Sequence, residues 1–182
     1  MVVETSSFCL KLARVLATIS FVLLLLSFLA PWVIFDFPMI GRREFTILEF
    51  IASVQGVQAD YGIVGEELGT LYLSLIFLII SVITAAISIF WDPVSLISGT
   101  AGLLSAALWV FEFDVVRAQI GAIRASKMNS VLRIGAGPFV VVIASVIMLT
   151  AFVLGISPRW SGTSSVEGSS SPVERPPELN SS

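Results

Sequence analysis

The carboxylates between the first and second apolar segments of the chain are the side chains best suited to chemistry. Glu44 and Glu49 lie close together, and Asp60 precedes the adjacent pair Glu66 and Glu67. Carboxylate oxygens bind Ca²⁺, and two carboxyl groups can act as general acid and general base. However, the spacing matches no calcium-binding loop, and acidic residues ahead of a helix favour its N-terminus. We expect a solvated surface, with metal binding and acid–base catalysis as the alternatives.

Small and hydroxylated residues recur at helical spacing in the second and third apolar segments. They are Ser74, Ser81, Thr84 and Ser88 in the second segment and Ser98, Gly102 and Ala106 in the third. In lipid, close approach over small residues and interhelical hydrogen bonds hold helices together. We therefore predict that these seven residues are helix-packing residues. A polar path for an ion or small solute is the alternative, although such paths usually contain an intramembrane charge and neither segment has one.

Basic residues dominate the segment between the third and fourth apolar runs. Arg117, Arg124 and Lys127 alternate with apolar residues at helical spacing, which predicts an amphipathic continuation of the third helix along the membrane surface. We predict that these three side chains contact anionic lipid headgroups. A site for the acidic surface of a partner protein is the alternative. Gly135 and Gly137 are expected to end this segment before the fourth helix.

The composition excludes most other function classes. Of the 182 residues, 56% are apolar and 13% are charged, and the net charge is -3. A soluble domain has about 45–50% apolar residues even with glycine included, and nucleic-acid binding needs a concentrated basic surface. The chain has no histidine and one cysteine, Cys9, so the usual ligands of haem, iron–sulfur and zinc sites are lacking. We predict no cofactor, no metal, no catalytic residue and no nucleic-acid partner.

Four uncharged apolar runs are each long enough to cross a bilayer as a helix. The predicted helices cover about residues 10–35, 70–91, 93–113 and 138–157, with loops at 36–69 and 114–137 and a disordered Ser/Pro-rich tail at 158–182. The predicted fold class is an all-α membrane protein, an antiparallel four-helix bundle. A cleaved signal peptide is the alternative for the first run, but that run is too long and lacks a cleavage motif.

Local signals refine these boundaries. Asp92 and Pro93 suit the N-cap and first turn of the third helix, which predicts a tight hairpin with the second helix. In the first loop, apolar residues recur at helical spacing, which predicts a short helix on the membrane surface. These residues are Ile47, Leu48, Phe50, Ile51 and Val54.

All four tryptophans lie at or near predicted helix ends. They are Trp32, Trp91, Trp109 and Trp160. Indole rings commonly sit half in the headgroup region of a bilayer. We therefore expect these four rings at the membrane interface.

The orientation in the membrane follows from two conflicting charge signals. Lys11 and Arg14 precede the first helix and Asp36 follows it, which favours cytoplasmic termini. The two loops together, however, contain more basic residues than the terminal segments. We predict cytoplasmic termini and a plasma-membrane location. Cys9, near the start of helix one, is expected to be a packing residue, with acylation as the alternative.

The spacing of the segments resembles the claudin and peripheral-myelin-protein tetraspan group and prokaryotic four-helix membrane proteins with Pro-Trp after helix one, here Pro31 and Trp32. The resemblance covers residues 10–157 and rests on spacing. The claudin first loop contains a Gly-Leu-Trp motif and two cysteines, and this first loop has neither. The disulfide-braced sheet and the junction-forming role of that family therefore do not transfer.

Taken together, the sequence predicts a non-catalytic structural or accessory membrane protein. Its expected partners are membrane lipids and either another protein or further copies of itself within the membrane. An oligomeric protein that handles a small solute or a lipid is the alternative, with the hydroxyl stripe of helix two lining the path. An enzyme that acts at the headgroup level through the first-loop carboxylates is a third possibility.

Overall fold

The fold is taken from a computed structural model, which describes the backbone of residues 2–37, 41–53, 68–123 and 131–161. Side chains are described for residues 8–36, 41–53, 69–113 and 133–156. The helices are α1 (Val2–Leu29), α2 (residues 47–53), α3 (Leu68–Ser88), α4 (Ser95–Ile123) and α5 (Gly137–Ser161), and the strands are β1 (Val33–Phe37), β2 (Gly41–Phe45) and β3 (Val131–Ile134).

Four of these helices are long and apolar enough to cross a membrane. Among the described residues, the candidate spans are Phe8–Leu29, Gly69–Ser88, Asp92–Phe113 and Gly137–Ile156. α5 runs to Ser161, so residues 158–161 are helical although the sequence assigned them to the tail. The rest of the predicted tail lies outside the described residues. α4 extends to Ile123, ten residues beyond the predicted end at 113.

A small sheet corrects the all-α prediction. The strands lie in the order β2-β1-β3, and both pairings are antiparallel. Val33 pairs with Phe45 on one side and with Ile134 on the other. The sheet therefore joins the two loops of the chain, and it forms without any cysteine. Each strand has only four or five residues, which is too short for alternation to distinguish a strand from the apolar helices beside it.

The C-terminus of α1 explains how the chain enters the sheet. In a continuing helix the Ser27 carbonyl would accept a hydrogen bond from the backbone N–H four residues later, but that residue is Pro31, which has no N–H. The indole of Trp32 supplies the missing donor, with Nε1 2.7 Å from the Ser27 carbonyl oxygen. The backbone N–H of Trp32 donates to the Phe45 carbonyl at 2.8 Å. The helix thus ends at the point where the chain joins β2.

The connection between α3 and α4 differs in detail from the predicted cap. Asp92–Val94 form a single 3-10 turn, and Trp91 rather than Asp92 occupies the N-cap position, with no side-chain cap hydrogen bond. Pro93 lies in the first turn, as its missing N–H requires. The two helices are therefore joined without room for an intervening segment.

Candidate functional site

Four serines form two reciprocal contacts between α3 and α4, and we call this group the serine seam. Ser74 Oγ donates to the Ser105 carbonyl at 2.9 Å, and Ser105 Oγ donates back to the Ser74 carbonyl at 2.8 Å. Ser81 and Ser98 exchange the same two bonds, both at 2.8 Å. All four side chains are fully buried. Each hydroxyl therefore has a partner on the neighbouring helix.

The order of these contacts defines how the two helices pack. The two serines on each helix lie seven residues apart, and as the number rises along α3 the number of the partner falls along α4. A seven-residue repeat keeps one face of a helix against its neighbour. Ser105 was missed by the sequence reasoning, although its spacing from Ser98 equals that of Ser74 from Ser81.

The other hydroxyls of the predicted packing set are used differently. Thr84 Oγ1 donates to the Ile80 carbonyl of its own helix at 2.6 Å. Ser88 Oγ donates to the Ala85 carbonyl and lies 3.5 Å from Met148 Sδ on α5. Ala106 is buried in the core. Of the predicted stripe on α3, Ser74 and Ser81 are the members that hydrogen bond to the described part of α4.

Gly102 lies where α3, α4 and α5 meet. A Cβ atom at this position would be 2.2 Å from Ser145 Oγ on α5 and 3.0 Å from Ser81 Oγ on α3. Gly99, one turn earlier, would meet Leu149 Cγ at 2.7 Å. The backbone of α4 therefore approaches α5 as closely as glycine permits. α1 also contacts α5, because Ser20 Oγ of α1 donates to the Ala144 carbonyl at 2.7 Å.

The sheet and α2 lie beyond the apolar spans, and we call this region, residues 33–37, 41–53 and 131–134, the cap. Aromatic rings join it to the helices. The rings of Trp32 and Trp109 meet edge to face with centroids 4.9 Å apart, and Phe50 of α2 lies 5.5 Å from Trp109. Phe35 packs against both Phe50 and Phe45. Such ring pairs add about 0.5–1.5 kcal/mol each beyond their buried area.

These rings correct the interfacial assignment of two tryptophans. Trp32 is 0% exposed and Trp109 is 1% exposed, so both lie inside the protein. Trp91 is 62% exposed, as an interfacial residue would be, and the side chain of Trp160 lies outside the described residues. The indole nitrogen of Trp109 is buried and has no acceptor among the described residues.

Two glycines allow the start of α5 to approach the end of α1. Gly135 donates its backbone N–H to the Trp32 carbonyl at 2.9 Å, and Gly137 donates to the Pro31 carbonyl at 2.8 Å. A Cβ at Gly137 would lie 2.3 Å from the Trp32 ring, and one at Gly135 would lie 2.1 Å from the Pro31 carbonyl oxygen. They end the loop, as predicted, and they also fix β3 beside β1.

α2 begins with a capping box formed by Thr46 and Glu49. The Thr46 N–H donates to Glu49 Oε2 at 3.0 Å, and the Glu49 N–H donates to Thr46 Oγ1 at 3.3 Å. The Thr46 backbone N–H, followed by the Thr46 hydroxyl, lowers the pKa of the Glu49 carboxyl. Ile47 and Ile51 are buried while Leu48 is exposed. The predicted short helix thus exists and packs against the protein core, and Val54 lies outside the described residues.

The carboxylates of the first loop are used in ion pairs and caps. Glu44 pairs with Arg42 at 2.7 Å, and Asp36 pairs with Arg133 of β3 at 3.5 Å. Where the chain is described, no group of three or more acidic or cysteine side chains could hold a metal ion. Asp60, Glu66 and Glu67 lie outside the described residues.

A shallow groove of about 460 Å³ runs between β2 and α2. Its lining includes Arg43, Glu44, Phe45, Glu49 and Ser53. Both signs of charge face the groove, so it has no strong preference for an anion or a cation. The predicted headgroup residues lie elsewhere: Arg117 is in α4 with an undescribed side chain, and Arg124 and Lys127 lie outside the described residues.

No protein-family model matches the chain, and a search of the curated proteins finds no significant relative.

Proposed function

We propose that the protein is a multi-pass membrane protein with a non-catalytic structural or accessory role. In this proposal the four long helices form an antiparallel bundle, and the cap is the surface that engages a protein partner. The bundle supplies a rigid anchor and the cap supplies recognition.

The single observation that carries the proposal is the use of polar groups within the spans. Each serine of the seam is buried and bonds its counterpart on the adjacent helix. Hydroxyl groups that are hydrogen bonded between helices in an apolar environment hold those helices together. They rarely bind a passing solute, because breaking the interhelical hydrogen bonds would leave buried polar groups without partners. This favours a packing role over a polar path through one copy of the chain.

The apolar outer faces of the helices favour membrane lipids as the partners that surround the protein. Large apolar side chains point away from the protein on every long helix, including Val22 on α1, Ile83 on α3 and Ile143 on α5. Each of these is about half exposed. In water such a surface would associate, whereas in a bilayer it contacts acyl chains of the same polarity.

The cap supports a protein partner because it is both fixed and charged. The aromatic cluster ties it to the bundle, and its outer sheet face presents Arg42, Glu44, Arg133 and Asp36. Rim charges of both signs give specificity and register more than affinity. We further propose a plasma-membrane location with the termini in the cytoplasm and the cap outside, on the charge signals around the first helix.

The test is the native mass and composition of the protein, tagged at its C-terminus and extracted in mild detergent. Co-purification of another subunit at a fixed ratio, or a defined homo-oligomer, would support the structural or accessory role. A counter-test uses purified protein in liposomes. Solute flux that is lost in the double variant Ser81→Ala, Thr84→Ala but kept in Thr100→Ala would contradict the proposal and support the solute-handling alternative. Thr100 is a suitable control because it is exposed and bonds its own helix.

A further inference from the structure

β2 is an exposed edge strand of the sheet. Among the residues whose structure is described, it pairs with β1 and with no other strand, and its residues from Gly41 to Glu44 are exposed. The Phe45 carbonyl accepts a bond from the β1 side of the sheet. Successive residues of an antiparallel strand direct their backbone N–H and C=O groups to opposite sides. The backbone groups of Arg43 therefore also point to β1, and those of Arg42 and Glu44 point to the free edge.

We propose that β2 pairs antiparallel with β2 of a second copy of this chain, so that Arg42 lies opposite Glu44 of the second copy. The two sheets then join into one sheet of six strands. The two-fold axis passes beside Arg43, and the pairs on either side of it carry the outward backbone groups of both strands. The edge is thereby satisfied by main-chain bonds, which supply affinity in strand addition.

The charges of β2 select this register among the possible ones. Outward backbone groups meet only if Arg42 and Glu44 face Arg42 or Glu44 of the other copy. Moving the axis by one residue in either direction places Arg42 opposite Arg42, or Glu44 opposite Glu44, and like charges directly opposite are destabilising. Only the register centred on Arg43 places unlike charges opposite each other, and it does so twice. The edge is therefore self-complementary.

The other face of β2 holds the one unfavourable pair. Arg43 of each copy meets Arg43 of the other across the axis, on the face that lines the groove with α2. Glu49 lies in the same groove. Its carboxylate in each copy reduces the repulsion between the two guanidinium groups.

The geometry of a joined sheet also suits two copies in one membrane. A two-fold axis between antiparallel neighbours runs perpendicular to the sheet, so both copies keep the same face on the same side. Val33, Phe35 and Phe45 on one face belong to, or pack against, the core that includes the helices. Both helical bundles therefore lie on the same side of the six-stranded sheet.

This inference rests on the structural or accessory role proposed above, because it names the partner of the cap. Charged residues on an edge strand more often prevent pairing than promote it. The proposal differs from that default in one measurable respect. A protective edge would stay unpaired whatever its charge order, whereas a self-complementary edge responds to the order of its charges.

The first test is disulfide trapping in native membranes, in a Cys9→Ser background. In the proposed register the two copies of position 43 form a non-hydrogen-bonded pair with Cα atoms about 4.5 Å apart, within the range of a disulfide. We expect Arg43→Cys to yield a cross-linked dimer under mild oxidation. The matched control is Arg133→Cys on β3, also an exposed strand position. Its two copies would lie about 24 Å apart, five strand spacings, and should stay uncross-linked.

The second test uses two complementary charge variants. Arg42→Glu alone and Glu44→Arg alone each place like charges opposite each other at both pairs, and we expect each to lower the dimerisation constant about tenfold. Mixed together, the two variants place unlike charges opposite each other again. A dimer that contains one copy of each, isolated with two different tags, should form as readily as the wild-type dimer. The Arg42–Glu44 pair within each chain stays broken, so the recovery arises only between chains.

The outcomes separate the two proposals. A monomer of 19.6 kDa, cross-linking at position 133 as strong as at 43, or no recovery in the mixed sample would overturn the β2 pairing. If another subunit then co-purifies at a fixed ratio, the accessory role still holds. Solute flux that depends on Ser81 and Thr84 would instead overturn the proposed function, whether or not the β2 dimer forms.

Discussion

At the scale of single residues, Gly102 is a position where an added side chain would disturb contacts with two other helices. A Cβ atom at this position would lie against Ser145 of α5 and Ser81 of α3. In a core packed to this density, extra volume forces side chains off their rotamers and moves the backbone, typically at 1–3 kcal/mol. The serine seam runs past the same point. A change at Gly102 therefore affects all three helices together.

We predict that Gly102→Leu destabilises the protein by about 3 kcal/mol, because the new side chain overlaps both serines. The measurement is reversible unfolding in mixed detergent–SDS micelles, followed by helical circular dichroism. Gly69→Leu is the matched control, since in the described part of the chain no atom beyond the neighbouring residues and the backbone of its own helix lies within 4 Å of the position a Cβ would take there. This control should be neutral or slightly stabilising, as a helical glycine is replaced. Equal effects of the two substitutions would contradict the three-helix contact.

The residue scale also separates what the sequence could reveal from what it could not. Ser74, Ser81, Ser98 and Gly102 are recognisable because their spacing repeats within one helix. Their role as packing residues in a membrane stays a prediction. The burial of Trp32 was not recognisable, because it depends on Gly137, more than 100 residues later in the chain. An indole near a helix end is interfacial unless another segment covers it.

At the scale of elements, α2 shows how a charged residue in an acidic loop serves the local fold. The capping box satisfies the backbone N–H groups at the start of the helix. The next residue, Phe50, packs against Trp109. Glu49, which the spacing of carboxylates had made a candidate for chemistry, is thus committed to the N-terminus of α2.

The capping box of Thr46 and Glu49 predicts that the stability of α2 depends on pH. The pKa of Glu49 lies below its usual value of 4.5, chiefly because the Thr46 N–H donates to the carboxylate. A carboxyl group whose pKa is lower in the folded state stabilises the helix at neutral pH, where it is ionised. This stabilisation is lost as the pH falls from the usual pKa of the group through its lower pKa in the folded state. We expect amide hydrogen exchange in residues 47–50 to accelerate as the pH drops below about 4.5, after correction for the intrinsic rate.

The variant Glu49→Gln provides the comparison for this experiment. An amide does not titrate here, so the additional acceleration at low pH should disappear. Glu44→Gln is the control, because the Glu44 carboxylate pairs with Arg42 on β2. It should retain the wild-type pH dependence of exchange in α2. If Glu49→Gln also retains the wild-type pH dependence, the Glu49 carboxylate does not stabilise the N-terminus of α2.

The elements differ in how far the sequence could specify them. Each long helix is encoded by a continuous apolar run, so composition and length suffice to find it. The sheet is not local, because β1 pairs with β3 across roughly 100 residues of chain. The four residues of β3 lie in a basic segment whose apolar spacing favoured a helix. Long-range pairing decided the outcome, and no pattern within the segment records it.

At the scale of the whole molecule, the described contacts join the helices near both ends of α5. Near one end of α5, Gly137 lies against Trp32 and the cap. Near the other end, Gly155 approaches Asp92 in the connection between α3 and α4. α1 contacts α5 through Ser20 and Ala144. In the proposed antiparallel bundle, Cys9 therefore lies on the side of the membrane opposite to the cap.

This arrangement predicts the labelling of intact cells by a membrane-impermeant maleimide. Cys9 is the only thiol of the chain and is partly exposed, so the wild-type protein reports on the N-terminal side without engineering. We expect little labelling of wild-type protein until the cells are permeabilised. Leu48→Cys in a Cys9→Ser background places a thiol on the exposed face of α2. That variant should be labelled on intact cells.

The two thiols together distinguish the orientation from the architecture. The reversed pattern, with Cys9 labelled from outside and position 48 protected, would keep the bundle but place the termini outside. It would mean that the basic residues of the loops, rather than Lys11 and Arg14, set the orientation. Labelling of both positions from the same side would contradict four antiparallel spans, because the single crossing of α1 between Cys9 and position 48 would place the two thiols on opposite sides.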